Sequence, residues 1–356
     1  MRLFRVKWNR WFAGLIISLA FFALTGCASE YIPQNFLQSN SRAAQAAADL
    51  FYWIFWVATV IFILVEGLLV YFVLRYQRRA PEEHPEQYHG NTRLEVTWTL
   101  IPALILVVVF AATIRTMGET GPTNPPGEGI KIDVFGHQWW WEMRYNDGQV
   151  STASELHMPP NQVMNITLRS ENVIHSFWVP RIMGKTDTMP GHENVTWLMT
   201  DQPGTYDGQC AEFCGTQHAN MLFRVIVHNT PEDFQTWLRN QSAPPVEPAA
   251  GSLAARGKEI ITNPKYFCTT CHTIQGTTAV GVTGPNLTHF ASRTCFAGCM
   301  FENNKENLRN WLSSPGTMKP GNIMAQVLSQ LNPGDPLHPL KPDEVEALTA
   351  YLESLR

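Results

Sequence analysis

The sequence predicts a multidomain chain: a two-helix transmembrane hairpin, then an all-β Greek-key barrel, then an all-α domain. Three observations carry that expectation. Two apolar runs, Leu50 to Leu74 and Val96 to Ile114, are each long enough to cross a bilayer as helices. Between residues 130 and 230 the pattern switches to short period-two stretches broken by Gly, Pro, Asn and Asp, the spacing of an antiparallel sandwich or barrel. Beyond residue 251 helical periodicity returns and closes on Val345, Leu348, Leu352 and Leu355 along one face, with Asp343 and Glu344 at the start of that helix.

With 356 residues the chain has room for two or three domains. The formal net charge is −4, and no Lys/Arg-rich run follows the first ten residues, so nucleic acid is not an expected partner. The seven cysteines sort into Cys27 alone, Cys210 with Cys214, Cys268 with Cys271, and Cys295 with Cys299. That is cofactor spacing more than a disulfide framework.

Residues 1–26 read as a leader. Arg2, Arg5, Lys7 and Arg10 form a basic flank, and Trp11 to Leu24 is an apolar core short for a span. Leu24-Thr25-Gly26-Cys27 then resembles a bacterial lipobox, with Cys27 the lipid-anchored mature N-terminus; the competing reading is an uncleaved first helix. An external segment over 27–46 leads to a first span over 47–75 and, after a loop over 76–93, to a second over 94–117. The loop and its edges carry Arg75, Arg78, Arg79 and Arg93, which places the loop in the cytoplasm and both mature ends outside, on the periplasmic side of a bacterial inner membrane. Glu66 lies at membrane depth, where it either packs against a partner helix or handles protons.

A connector over 118–129 precedes the β region, 130–230. Strands are expected at Ile130–Phe135, Gln138–Arg144, Val163–Leu168, Val173–Val179, Val195–Met199 and Leu222–Val227. Residues 128–248 hold seven basic and fourteen acidic residues, a face that would attract a basic electron carrier or simply be solvated. In Gly136-His137-Gln138-Trp139-Trp140-Trp141 three successive indoles must point to alternating faces of a strand, so at least one belongs to the core.

The chemistry is densest in Cys210-Ala-Glu212-Phe-Cys214-Gly-Thr-Gln-His218-Ala-Asn-Met221, with a second imidazole upstream at His175. Thiolate, imidazole and thioether together suit copper and electron transfer, and two cysteines supply enough thiolate to bridge two ions. A Cys210–Cys214 disulfide or a zinc site are the competing readings; neither uses the Glu, the Met or the distant His.

The stretch resembles the binuclear copper (CuA) loop of the cytochrome c oxidase subunit II family, Cys-x-Glu-x-Cys-x3-His-x2-Met with an upstream His-Ser-Phe. The resemblance implies a cupredoxin barrel in which Cys210 and Cys214 bridge two coppers. His175 and His218 would cap one copper each, and Met221 and the Glu212 carbonyl would be weak axial ligands. It further implies that the Glu212 side chain reaches a magnesium at the boundary with subunit I. By the same resemblance Trp139 receives electrons from a cytochrome donor, and Gly184 to Gly191 faces the catalytic subunit. Leu94-Glu95-Val96-Thr97-Trp98 resembles the family's second-span entrance, where the matching Glu sits at the mouth of a proton channel; Glu95 could equally mark the interface beside Trp98. Asn172 departs from the Asp of many members, a change expected to leave His175 untouched.

After a short helix around Phe234 to Arg239 and a Pro-rich linker (231–250), the last unit, 251–356, opens with Cys268-Thr269-Thr270-Cys271-His272. This is the covalent haem c signature: two thiols add to vinyl groups and the following His binds iron. Gly284-Pro285-Asn286-Leu287 and Lys319-Pro320-Gly321-Asn322-Ile323-Met324 resemble the loops flanking haem in class I cytochromes c, which makes Met324 the distal ligand ahead of Met318, Met300, His289 and His338. Cys295 and Cys299 read as a disulfide or as spare thiols. The remaining histidines, among them His137, His157 and His228, read as ordinary.

The expected function is electron relay in a bacterial A-type haem–copper oxidase: cytochrome c or an upstream respiratory complex to haem c, to the copper pair, to subunit I among the other oxidase subunits. The alternatives are the copper-bearing small subunit of a nitric-oxide reductase and a membrane copper-delivery protein.

Overall fold

The computed structural model describes residues 34–77, 87 and 89–356, with isolated positions 14, 17 and 18. Most of the expected leader, Cys27 with its expected lipidation, and most of the loop between the spans lie outside the described residues.

Helices α1 (Arg42–Arg75) and α2 (Thr92–Thr120) pack on each other, and both are long and apolar enough to cross a membrane. α1 starts at Arg42 rather than at 47. The Ser41 hydroxyl caps it by accepting from the Ala44 amide at 3.0 Å, and Ala43, Ala44 and Ala48 bury against the β domain. These alanines are strong helix formers that a hydropathy window undervalues. The ends of both helices are fastened to the barrel: the Asn40 amide donates to the Arg181 carbonyl at 2.8 Å, and the Trp197 indole to the Gly121 carbonyl at 2.9 Å.

The barrel is two five-stranded sheets. One contains β1 (Ile130–His137), β2 (Trp140–Tyr145), β3 (Val150–Ala153), β5 (Met164–Ser170) and β8 (Asn194–Leu198), in the order β3-β2-β1-β5-β8. The other contains β4 (Glu155–Met158), β6 (His175–Val179), β7 (Met183–Thr188), β9 (Gly204–Cys210) and β10 (Leu222–Val227), in the order β4-β10-β9-β6-β7. β1 with β5 and β4 with β10 are parallel, the other pairs antiparallel. Strands β3, β4, β7 and β9 carry no signal that sequence patterning caught. The first two are four residues long, and β7 and β9 are mostly Gly, Thr and Asp.

Between the sheets lie Trp141, Met143, Leu156, Phe177 and Phe223, all essentially without exposure. Trp141 meets Phe177 and Phe223 edge-on at 5.4 and 5.6 Å, an arrangement favoured by the ring quadrupoles. β2 begins at Trp140, not Gln138, because His137 pairs with Trp140 and leaves Gln138 and Trp139 as the hairpin tip. Trp139 is therefore released from strand alternation and free to face another loop.

After α3 (Pro231–Ser242), closed by a capping box between Thr230 and Asp233, the helical domain follows with its own core. It comprises α4 (Leu253–Thr262), α5 (Cys268–Cys271), α6 (Lys305–Ser313), α7 (Pro315–Met318), α8 (Ile323–Leu328) and α9 (Pro342–Ser354). A small ribbon of β11 (Cys295–Phe296) and β12 (Phe301–Glu302) completes it, and Cys295 and Cys299 are disulfide-bonded. α4 and α9 cross at Gly257, where a Cβ would sit 2.0 Å from the Ala347 carbonyl oxygen; only glycine permits that approach.

The two external domains are docked, not merely tethered. Buried Glu155 of β4 accepts from the Thr294 and Cys295 amides at 2.6 and 3.1 Å. Arg224 pairs with Glu302, the Leu222 amide donates to the Gly298 carbonyl at 2.9 Å, and Lys319 reaches back into the barrel. The Pro-rich linker lies along the helical domain, with Lys258 paired to Glu247 and a His289 ring nitrogen 2.9 Å from the Ala243 carbonyl.

Candidate metal centres

His175 opens β6, Cys210 ends β9, and the two strands are neighbours with Phe177 opposite Cys210. The loop from Ala211 to Met221 leaves β9 and returns to β10, closed by a 3.0 Å hydrogen bond from the Cys210 amide to the Met221 carbonyl. This brings together all six donors singled out in the sequence. Cys210 Sγ and Cys214 Sγ are 3.8 Å apart, and His175 Nδ1 lies 3.9 Å from Cys210 Sγ. His218 Nδ1 lies 3.6 Å from Cys214 Sγ, Met221 Sδ 3.8 Å from Cys214 Sγ, and the Glu212 carbonyl oxygen 3.3 Å from Cys210 Sγ.

These spacings are those of metal ligands rather than of a disulfide. A disulfide needs sulfurs at about 2.05 Å. Bonds of about 2.3 Å to sulfur and 2.0 Å to nitrogen put two ligands of one ion about 3.5 Å apart, which is the separation seen here. The two imidazoles sit on different sulfurs, so the donor set has two ends with the thiols between them, and it fits a thiolate-bridged pair of soft-to-intermediate ions.

The environment prepares the thiols. Cys210 is pulled down, chiefly by its hydrogen bond with the Cys214 thiol and then by His175, against the upward push of burial. Cys214, left holding the shared proton, is pushed up. His175 is fully buried, and its Nε2 lies 3.0 Å from Asn172 Oδ1, which leaves Nδ1 turned to the sulfurs. Asn172 does bear on His175, contrary to expectation: its amide oxygen orients the ring without adding a charge.

In the helical domain a cleft of about 410 Å³ is lined by Cys268, Cys271, His272 and Met324 together with Trp139 and Trp140 of the barrel. Neither cysteine is engaged in a disulfide. His272 Nδ1 lies 2.8 Å from the Pro285 carbonyl oxygen, which turns Nε2 toward the cleft; burial lowers its basicity. The donor set therefore fits a haem bound through two thioethers and a His/Met pair. His289 and His338 are engaged elsewhere, with Ala243 and Asp335. Met324 is placed by buried Asn322, which caps α8 by accepting from the Ala325 amide at 2.7 Å and donates to the Pro315 carbonyl at 2.9 Å.

Between the two centres stands Trp139, which lines the cleft while its Nε1 donates to the Cys214 carbonyl at 3.0 Å. Gln138 Nε2 donates to the same oxygen at 2.7 Å. The copper-type loop and the Met324 loop also touch directly, Gln217 Nε2 donating to the Pro320 carbonyl at 2.9 Å.

Three family models match the chain: cytochrome c oxidase subunit II, transmembrane domain, over residues 29–115; the periplasmic domain of the same subunit over 148–229; and cytochrome c over 254–356. The cytochrome c oxidase subunit 2 of Alkalihalophilus pseudofirmus is 34% identical over 346 residues, 94% of either chain. The chain belongs to the cytochrome c oxidase subunit II family. The subunit 2 of Bacillus subtilis is 30% identical over 373 residues, covering 98% of each. The solved periplasmic domain of subunit II of cytochrome oxidase from Bradyrhizobium japonicum is 28% identical with a TM-score of 0.31, covering 32% of this chain and 95% of that one. As a member of this family the chain is an electron-transfer subunit of a terminal oxidase complex built with subunit I. It has membrane helices, a copper-binding domain of cupredoxin type and a haem-binding cytochrome c domain.

Sequence reasoning passed over several residues of the junction. Lys319 was read only as part of the haem loop, yet it is 3% exposed. Glu155, which no motif singles out, is 1% exposed. His137 is no ordinary histidine either: it stacks on Trp140 at 4.4 Å and contacts buried Glu142 at 3.3 Å, while His157 and His228 share a 3.1 Å contact. None of these carries a local motif; they are set by long-range packing. Glu95 accepts from the Asn91 amide at 3.1 Å in the first turn of α2, a capping role.

Proposed function

We propose that the chain passes electrons from a cytochrome c or an upstream respiratory complex through a covalently attached haem c and a binuclear copper centre to the oxygen-reducing subunit I. Bound haem and copper supply one-electron redox capacity; the protein supplies fixed positions and a dry path. Cys268 and Cys271 would hold the porphyrin, and His272 and Met324 would bind its iron. Cys210, Cys214, His175, His218, Met221 and the Glu212 carbonyl would hold the coppers.

The observation that carries this reading is the double engagement of Trp139, on one side lining the haem cleft and on the other donating to Cys214. Both centres are held in rigid frames, the copper ligands by adjacent strands and the haem ligands by docked helices, which keeps reorganisation small as charge moves. In the same reading the Glu212 side chain offers a carboxylate to a magnesium shared with subunit I, Glu95 stands at a cytoplasmic proton entrance, and Cys27 carries the lipid anchor. The domains divide at 118–129 and 231–250, with both metal-bearing units outside the membrane.

The test is a visible spectrum with metal analysis of the isolated complex, alongside Cys214→Ser. The reading expects c-type haem and two coppers per chain, with the mixed-valence copper absorption lost in Cys214→Ser while the haem bands remain. Two coppers and an unaltered copper spectrum in the variant would refute it.

A further inference from the structure

Lys319 lies five residues before Met324, and its ammonium group leaves its own domain. Nζ donates to the carbonyl oxygens of Trp139 at 2.9 Å, Asn220 at 3.0 Å and Ala297 at 2.6 Å. These acceptors belong to three separate segments: the β1–β2 hairpin tip, the copper-type loop one residue before Met221, and the disulfide-closed loop between Cys295 and Cys299. The side chain is buried, and the site is built tightly around it. Gly298 has φ +75°, and a Cβ there would fall 2.7 Å from the Trp139 oxygen and 2.9 Å from Lys319 Nζ. Three carbonyl acceptors with no donor among them match an ammonium; a neutral amine would turn a lone pair onto one of the oxygens. Burial pulls the group down, to about 7 even with Cys214 opposing that pull, so the three carbonyl acceptors are what favour the charged form.

We propose that Lys319 is a positioning residue for the haem-to-copper electron step. It pins the Met324 loop, Trp139 and the copper loop to one point, and in its protonated form its positive charge favours the reduced state of the copper pair. In that step one electron leaves a ferrous haem and arrives at the oxidised copper pair, with no bond made or broken and no proton moved by Lys319. Two contributions follow from one group. The hydrogen bonds fix the separation that the electron crosses, and the charge stabilises the added electron in a low-dielectric junction. The inference rests on the relay proposed above and adds to it a residue that is a ligand of neither centre.

The experiment uses the full-length complex, wild type first. A concentration-independent haem-to-copper step in the wild type establishes the relay itself, separately from any role of Lys319. Lys319→Met and Lys319→Arg are then compared by rapid mixing and by spectroelectrochemical titration of copper. Lys319→Met, with intact haem and copper spectra, is expected to slow the internal step roughly tenfold or more, since misplacement near 1 Å is costly to a positioned reaction. It is also expected to lower the copper midpoint potential. Lys319→Arg, which keeps the charge but is too large for the site beside Gly298, is expected to slow the step while holding the potential. An unchanged rate in Lys319→Met overturns the proposal, as does a slowed step with an unmoved copper potential, because the lysine is then only a domain fastener. If Lys319→Met does not assemble, Lys319→Arg decides: a wild-type rate, or a shifted copper potential, overturns the proposal.

Discussion

The indole Nε1 of Trp139 and the carbonyl oxygen of Cys214 are joined by a 3.0 Å hydrogen bond, across which the haem-cleft wall and the copper-type loop become one piece. Trp139 can make this bond because it sits at a hairpin tip, while Trp141, two residues on, is wholly inside the barrel. Neighbouring residues of one type thus serve different ends, one filling the core and one linking the centres.

Replacing Trp139 by Leu removes the hydrogen bond and the ring while leaving all six copper-type donors and the four haem donors in place. The internal haem-to-copper step should slow roughly tenfold or more, by the same cost of misplacement. Rapid mixing with both spectra recorded checks this. A wild-type rate in Trp139→Leu would move the path to another part of the junction, with Gln217 and Pro320 the next contact to examine.

Met324→Ala should leave the haem attached, since two thioethers do not depend on the sixth ligand. It should lower the haem potential, because a Met/His pair raises it. Pyridine haemochrome analysis and redox titration give the two answers, and an unchanged potential would transfer the ligand role to another side chain.

Glu142 is the third case. Its carboxylate is buried, which by itself would push it up, but it accepts from Arg144 at 2.8 Å twice and from Ser151 at 2.9 Å and lies 3.3 Å from His137. The balance lowers it from 4.5 to about 2. A depressed carboxylate stabilises the fold above its unfolded value and loses that contribution as pH falls through the folded one. The contribution is therefore full above about 4.5 and fades toward about 2, at a size of about 3 kcal/mol. Glu142→Gln should lower thermal stability at pH 7, with the gap from wild type shrinking below pH 4.5. A gap that stays constant down to pH 2.5 would show that Glu142 does not contribute through its charge.

What the sequence disclosed and what it hid divide along a physical line. The copper-type and haem donors were readable because their spacing is local: Cys210 to Met221 is one loop, and Cys268 to His272 one helical turn and its end. The membrane helices were readable because a bilayer demands long apolar runs. Strands β7 and β9 were missed because their stability comes from partners distant in sequence, not from alternation of their own. The junction was missed for the same reason. Lys319, Glu155 and Gln217 are polar residues whose burial exists only once two domains have met, and no window along the chain contains both halves. The Pro-rich linker likewise says nothing of how the cytochrome domain sits, which depends on Glu155 and Lys319 reaching across the junction.

The central claim is that electrons cross this junction within one chain. The most direct measurement is the rate of copper reduction after rapid mixing of the oxidised complex with a limiting donor to haem c, repeated over at least a tenfold range of protein concentration. Docked domains predict a first-order haem-to-copper phase whose rate constant does not change across that range. A rate constant that rises in proportion to protein concentration would mean that electrons pass between molecules, and the junction built around Trp139 and Lys319 would not be the path.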